Sequence, residues 1–294
     1  MLNYQQCVMS CVFLGLAAAA QAASASQPDH LAKAQSAYNR TDYRSAIESL
    51  SGTSVKPVQS NFLLGKSYYM LGDLKKSCEF FHKATDLDPN NSDYYLWLGR
   101  AYGRRAESSN PLTAPSYATK ARNNFEKSVS LNPKNGDALN DLFEYYLQAP
   151  GFLGGGLDKA AALLPKIKDH DSAEFHFAQA QLAEKRKEFA TAEQQLRRAL
   201  DLAPRQVGRV IDLAKFLLRR GRIPESDALL KQAATIAPND PKVLFEQAHA
   251  LISSKRDLAE AKRLLKLYMQ APLTPELPSR SEAEKLLKQA ENGA

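Results

Sequence analysis

Cysteine is almost absent from this chain of 294 residues. It occurs at Cys7, Cys11 and Cys78, too few for a disulfide framework, so packing alone must hold the fold. No apolar stretch reaches the roughly 18 residues of a membrane-spanning helix. The five histidines (His30, His82, His170, His176 and His249) are scattered. No H-E-x-x-H occurs and no cysteine pair has zinc-ligand spacing, which removes the common metal motifs. His170-Asp171-Ser172 contains triad residue types, but roles and geometry make a triad, and neighbours in sequence do not. Gly154-Gly155-Gly156 lacks the lysine and hydroxyl spacing of a phosphate loop, which excludes nucleotide binding of that kind. We therefore expect no catalytic residue, no metal and no cofactor.

Charge is missing from one region only. Residues 1–26 carry no charged side chain, and Val8 to Ala20 is an apolar run followed by small residues. Ala20-Gln21-Ala22 and Ala23-Ser24-Ala25 are both A-x-A patterns, so residues 1–25 read as a signal peptide of an exported, periplasmic or secreted protein. The alternative is an uncleaved anchor, but an apolar helix of that run covers only about 20 Å of a ~30 Å hydrocarbon core. Cleavage would leave Cys78 as the sole thiol, placed on an apolar helix face as a small core residue. The formal net charge of +7 suits an anionic partner. Export argues against nucleic acid.

What the chain has is a repeated pattern. A small residue recurs at Ala46, Ser77, Ala121, Ala160, Ala192, Ser226 and Ala261. An apolar residue follows four positions later, at Leu50, Phe81, Phe125, Leu164, Leu196, Leu230 and Leu265. Turns such as Thr41-Asp42-Tyr43, Gly72-Asp73-Leu74 and Gly221-Arg222-Ile223 precede several of them. Pro204, Pro238 and Pro272 stand 34 residues apart, and Pro57, Pro89 and Pro133 close other units with small insertions. Leu64, Tyr68 and Leu71 stripe one helix at spacings of three and four. Leu74, Ser77, Phe81 and Ala84 stripe the next.

A 34-residue period of helix, turn, helix and proline resembles the tetratricopeptide repeat. Leu64, Gly65, Tyr68, Ser77, Phe81, Ala84 and Pro89 fall on that family's pattern, and Leu98, Gly99, Tyr102, Ala121, Phe125 and Pro133 do so in the next unit. The expected fold is an all-α solenoid of about seven helix-turn-helix repeats over residues 28–274, followed by a capping helix and tail over 275–294. Repeat three carries a long turn near Arg104 to Ser116, and repeat four breaks at Pro150 to Gly156. Phe143 occupies the small position of repeat four's first helix.

The resemblance implies that the first helix of each repeat lines a concave groove. Carried over by position, that groove would contain Phe62, Lys66, Tyr69, Leu96, Arg100, Asn140, Glu144, Phe177, Gln181 and Lys215. It would mix aromatics with positive charge and suit a peptide or an acidic segment. The asparagines of the carboxylate clamp that holds chaperone tails are missing, so that ligand is not expected. A second basic area, centred on Arg197, Arg198, Arg219 and Arg220, could face an anionic glycan or lipid surface. The sequence thus points to a non-catalytic scaffold of the cell envelope that binds a protein or peptide partner. An accessory protein for an anionic polymer or lipid surface is the alternative.

Overall fold

The structure is a computed structural model and describes residues 30–51, 57–274 and 277–293. The expected leader, residues 1–25, lies outside the described residues. Fifteen α-helices and no strand occur among the described residues. First helices α1 (His30–Asn39), α3 (Pro57–Met70), α5 (Ser92–Ser108), α7 (Gly136–Gln148), α9 (Ser172–Lys185), α11 (Val207–Arg219) and α13 (Pro241–Ser253) each fold back on a second helix. Those are α2 (Tyr43–Leu50), α4 (Leu74–Leu87), α6 (Ala114–Leu131), α8 (Leu157–His170), α10 (Phe189–Leu202), α12 (Ile223–Ile236) and α14 (Leu258–Gln270). Helix α15 (Arg280–Asn292) packs across α13 and α14. The fold is an all-α solenoid, and no described helix is long and apolar enough to cross a membrane.

Each hairpin closes on its small residue. Ala46, Ser77, Ala121, Ala160, Ala192, Ser226 and Ala261 are all 0–1% exposed, because the opposing helix leaves no room for water there. Buried hydroxyls are satisfied across the crossing: Ser77 Oγ donates to the Gly65 carbonyl at 3.0 Å and Ser226 Oγ to the Ala214 carbonyl at 2.8 Å. Gly65 is required by close approach, since a Cβ there would lie 2.5 Å from the Phe81 ring. Gly99 stands in the same relation to Phe125, at 2.6 Å. In the α7–α8 hairpin Phe143 takes this place and is buried. The facing residue is the smaller Leu164, and α7 and α8 pack less closely than the other long hairpins.

The turn inside a hairpin is also specified. In five repeats the first helix ends with paired backbone bonds from two consecutive N–H groups. Asp73 N–H donates to Tyr68 O and Gly72 N–H to Tyr69 O. The same pair recurs at Thr41/Asp42, Lys187/Glu188, Gly221/Arg222 and Lys255/Arg256. The first residue of each pair is left-handed, with φ between 50° and 78°. Glycine takes this conformation without cost at Gly72 and Gly221, whereas Thr41, Lys187 and Lys255 hold it against their side chains. Asp42, Asp73 and Asp257 then cap the second helix, each accepting a backbone N–H at 3.1 Å.

Two expectations need correction. The extra residues of repeat three mostly lengthen its helices: α5 has 17 residues and α6 has 18, against 13 or 14 elsewhere beyond the first hairpin. Stacking of Tyr102 on Tyr117 and the Arg105 guanidinium 4.1 Å from the Tyr117 ring centre zip this extension together. Pro57 opens α3 where a closing role was expected, and Pro241 opens α13. The first position of a helix needs no N–H and accepts the fixed φ of proline. The break expected at Pro150 to Gly156 is present, and this glycine-rich stretch forms an ordered turn. Tyr145 Oη and Arg122 Nη1 both donate to the Leu153 carbonyl, at 2.9 and 3.0 Å. Gly156 N–H donates to Tyr146 O at 2.8 Å, and a Cβ on Gly155 would strike the Ala149 carbonyl. Leu112 and Phe152 stand out at the tips of these two turns, 92% and 82% exposed.

The left-handed turn position yields a two-sided test. Lys187→Gly should stabilise the fold by about 1 kcal/mol and Gly72→Ala should destabilise it by a similar amount, measured by urea unfolding. Effects of the same sign at both positions would show that turn strain does not govern hairpin stability.

Candidate functional site

First helices of successive repeats pack directly on one another at every junction except α9–α11, where they touch least, whereas no pair of second helices does so comparably. The first helices therefore form the inner, concave side. Three cavities open along it. One of about 370 Å³ lies over α3, α5 and α7, beside Tyr69, Arg100 and Asp141. One of about 420 Å³ lies between α7, α9 and α11. One of about 320 Å³ lies between α11, α13 and α15, beside Lys215 and Glu246. Glu282 of α15 has its carboxyl held below the usual range by the Ser279 backbone and hydroxyl, with smaller help from Lys285 and from Arg104 of α5.

At the α3–α5 end the groove is aromatic. Phe62 packs on Tyr94 and Phe81 with ring centres 4.7 and 5.8 Å apart. Lys66 Nζ sits 4.8 Å from the Phe62 ring, 5.0 Å from Tyr38 and 6.0 Å from Trp97, and burial pushes its pKa down. Tyr69 and Leu96, expected to line the groove, are only 5% and 2% exposed. The Trp97 indole packs edge-on against Tyr69 at 5.5 Å, and Leu96 belongs to the same apolar cluster. Of the other expected residues, Glu144 lines the first cavity and Phe177 and Gln181 the second, while Asn140 is half-buried and lines none of the three.

The groove's cations are bound internally. Arg100 Nε meets Asp141 at 2.5 Å, and its Nη2 lies 3.5 Å from Asp137. Lys215 Nζ meets Glu246 at 2.6 Å. Gln181 donates to Glu144 at 3.1 Å, and Lys185 to Gln148 at 2.5 Å. Arg209, almost fully buried, binds Glu174 and, at 3.3 Å, Asp212, with its guanidinium 4.4 Å above the Phe177 ring. Burial pushes the Asp212 carboxyl above its ordinary range, against the pull of Lys242, Arg209 and Lys215. These bonds join consecutive repeats. The expected excess of positive charge in the groove is therefore neutralised by carboxylates of the same and neighbouring repeats.

The basic area is similarly engaged. Arg197 binds Glu193 at 2.7 Å, and Arg219 binds Glu184 through both carboxylate oxygens at 2.8 and 2.9 Å. Arg220 lies 3.9 Å from the Phe189 ring centre. Arg198 is exposed on α10. Among the described residues no group of three His, Cys, Asp or Glu could hold a metal ion.

Trp97, Glu184, Arg209, Asp141, Asp212 and Glu246 are inner-face residues that sequence reasoning missed. A signal for the acids was present: Asp212 and Glu246 stand 34 residues apart at the same position of their first helices, with Asp141 at that position in repeat four. The rungs can be tested by a double-mutant cycle. Arg100→Met should cost about 1–3 kcal/mol by leaving Asp141 unpaired, and adding Asp141→Leu should recover most of it. Additive losses on urea unfolding would remove the coupling.

Comparison with known proteins follows this geometry. Tetratricopeptide-repeat family models match residues 58–91 and 183–244. Among solved structures, a tetratricopeptide repeat protein from Parabacteroides merdae superposes with a TM-score of 0.65 at 16% identity, covering 90% of this chain and 98% of that one. A thermophilic TPR protein of Thermus thermophilus gives 0.53 at 20% identity, over 65% and 98%. The Sol locus transcriptional repressor of Clostridium acetobutylicum is 30% identical over 117 residues, 37% of this chain. The match spans only 36% of that relative's length, so its role stays with that protein. Two matched repeat segments, the seven buried small residues and a shared solenoid lead to one conclusion: residues 58–91 and 183–244 are tetratricopeptide repeats within an all-α solenoid of the same fold.

Proposed function

We propose that the protein is a non-catalytic scaffold of the cell envelope whose inner face holds an extended segment of a partner protein. The observation that supports this most is the succession of three cavities along the first helices, of about 370, 420 and 320 Å³. Each is large enough for one or two side chains, and their spacing along one groove suits an extended peptide. The groove offers aromatic rings at one end and alternating, internally paired charges over the rest. Such a surface selects a segment by shape and local pairing, with little net electrostatic pull.

The charge-free residues 1–26 and their A-x-A patterns support export, and an exported scaffold would meet its partner in the periplasm or outside the cell. The polymer-binding alternative draws less support, because Arg197, Arg219 and Arg220 already have intramolecular partners.

Photo-crosslinking in cells tests the proposal. A crosslinking residue at Glu144 or Gln181 should capture a discrete protein, and one at Arg198 on the outer side should not. Heterogeneous glycan or lipid adducts at Arg198, with none from the groove, would overturn the scaffold reading. N-terminal sequencing of the protein from fractionated cells should begin after Ala22 or Ala25; an intact Met1 would overturn cleavage.

A further inference from the structure

Two large apolar side chains stand almost wholly in water. Leu112 in the α5–α6 turn is 92% exposed and Phe152 in the α7–α8 turn is 82% exposed, whereas Leu71, Leu87 and Leu202 are 43–52% exposed. Turns inside hairpins all lie at the C-terminal ends of first helices, on one edge of the solenoid. Leu71 ends α3 at the matching turn of repeat two, so three successive repeats present an apolar side chain on that edge.

Neither of the two prominent turns is slack. Asn110 Oδ1 accepts the N–H groups of Leu112 and Thr113, at 3.0 and 3.2 Å. In repeat four the Leu153 and Gly154 N–H groups donate to Pro150 O and Gly151 O, at 2.9 and 2.8 Å, and Gly154 holds a φ of 88°. Tyr145 and Arg122 fasten the Leu153 carbonyl from outside the turn. A single exposed leucine is ordinary. Here ordered backbone in adjacent repeats holds two apolar side chains away from the surface they could fold back on.

The charges of these tips divide into pairs and a remainder. Arg104 faces Glu107 at 3.7 Å and Arg122 faces Glu126 at 3.6 Å. Arg105 donates to the Tyr117 hydroxyl at 2.6 Å, and Lys159 to the Gly154 carbonyl at 2.9 Å. Lys120 lies over the Tyr102 and Tyr117 rings, 5.3 and 5.8 Å from their centres. These last three cations have neutral partners, and the exposed Asp158 stands against them. Glu144 turns into the groove. On repeat two Lys76 faces Asp73 at 3.5 Å and Lys75 is exposed; on repeat five Arg186 and Lys187 are exposed beside Glu188. The edge is therefore net positive around its two apolar points.

Side chains on separate turns make no contiguous patch, and a stable protein interface needs about 1,000 Å² of matched surface. A bilayer asks for less: each apolar side chain enters the acyl boundary alone while nearby cations stay among the headgroups. We propose that this edge docks on an anionic bilayer, with Leu112 and Phe152 inserted and Arg105, Lys120 and Lys159 at the lipid phosphates. The array then lies side-on to the membrane and its inner face stays open, so the contact is independent of what the groove holds.

Co-sedimentation of the purified protein with lipid vesicles is the test. The protein should sediment with vesicles of phosphatidylcholine and phosphatidylglycerol and stay in solution with phosphatidylcholine alone. Leu112→Ser with Phe152→Ser should weaken binding to the mixed vesicles at least about tenfold. Lys120→Glu with Lys159→Glu should weaken it by a similar factor. All four side chains are exposed, so both double variants should keep the wild-type Tm, which separates lost docking from lost folding. Phe152→Trp gives a readout that needs no loss of binding: its fluorescence should move to shorter wavelength on the mixed vesicles, and an unmoved spectrum would overturn insertion. Failure of the protein to sediment with the mixed vesicles would overturn the inference. So would undiminished binding of the Leu112/Phe152 variant, which is adsorption by charge alone, or equal binding to both kinds of vesicle, which removes the role of the cations. Each of these outcomes leaves the groove reading standing.

Discussion

The close approach of two helices at one small residue is the constraint on which the remaining structure depends. At Ser77 and Ser226 the crossing is tight enough for a side-chain hydroxyl to bond a carbonyl of the opposing helix. A larger side chain there would push the hairpin apart and lose the contacts of the residues one turn along. Once the crossing is fixed, Phe81 and Phe125 must fill the space beside it, which is why Gly65 and Gly99 lack side chains. No single hairpin can cover both of its faces, so each stacks on the next and the cluster grows along the chain. The inner face follows from this packing, because the first helices are the ones brought together.

The polar inner face is organised differently from the core. Its rungs are only partly shielded, with Arg100 and Asp141 side chains each 25% exposed, and pairs of that kind contribute modestly to stability. Their larger effect is on register. Each of these cations has an acceptor on a neighbouring repeat, and sliding the helices past each other would leave a half-buried charge without its partner. The groove is therefore patterned in charge yet nearly balanced, which distinguishes it from the cationic strip implied by reading the first helices alone.

The fold was legible from the sequence because it depends on local events of fixed spacing. The small residues, the apolar residue four positions on and the Gly-Asp turns lie within a single hairpin. The site was legible only in part. Tyr69 sits on the helix face expected to be open, but its exposure is decided by Trp97 in the following repeat. Asp141, Asp212 and Glu246 look like solvent-facing acids in isolation, and their partners arrive from another unit. How repeats lean on one another sets these contacts, and that angle comes from side-chain volumes along the whole interface. The long turn of repeat three misled for a related reason. Ser, Pro and Asn mark its tip, while the helical extension below them is supported by Tyr102 and Tyr117 on opposite helices of the hairpin.

The unequal junctions have a mechanical consequence. A stack of repeats behaves as a row of elastic joints, and deformation collects at the most compliant one. Between α9 and α11 the first helices touch least, and the joint is held by Leu213, Phe216 and Leu217 beneath and by the Arg209–Glu174 and Arg219–Glu184 pairs across it. Bending of the superhelix will therefore concentrate at this joint, with the halves on either side moving as stiff arms. The apolar residues beneath serve as the fulcrum. A tug on either end of the array is felt first as a change in the pitch of that one coil.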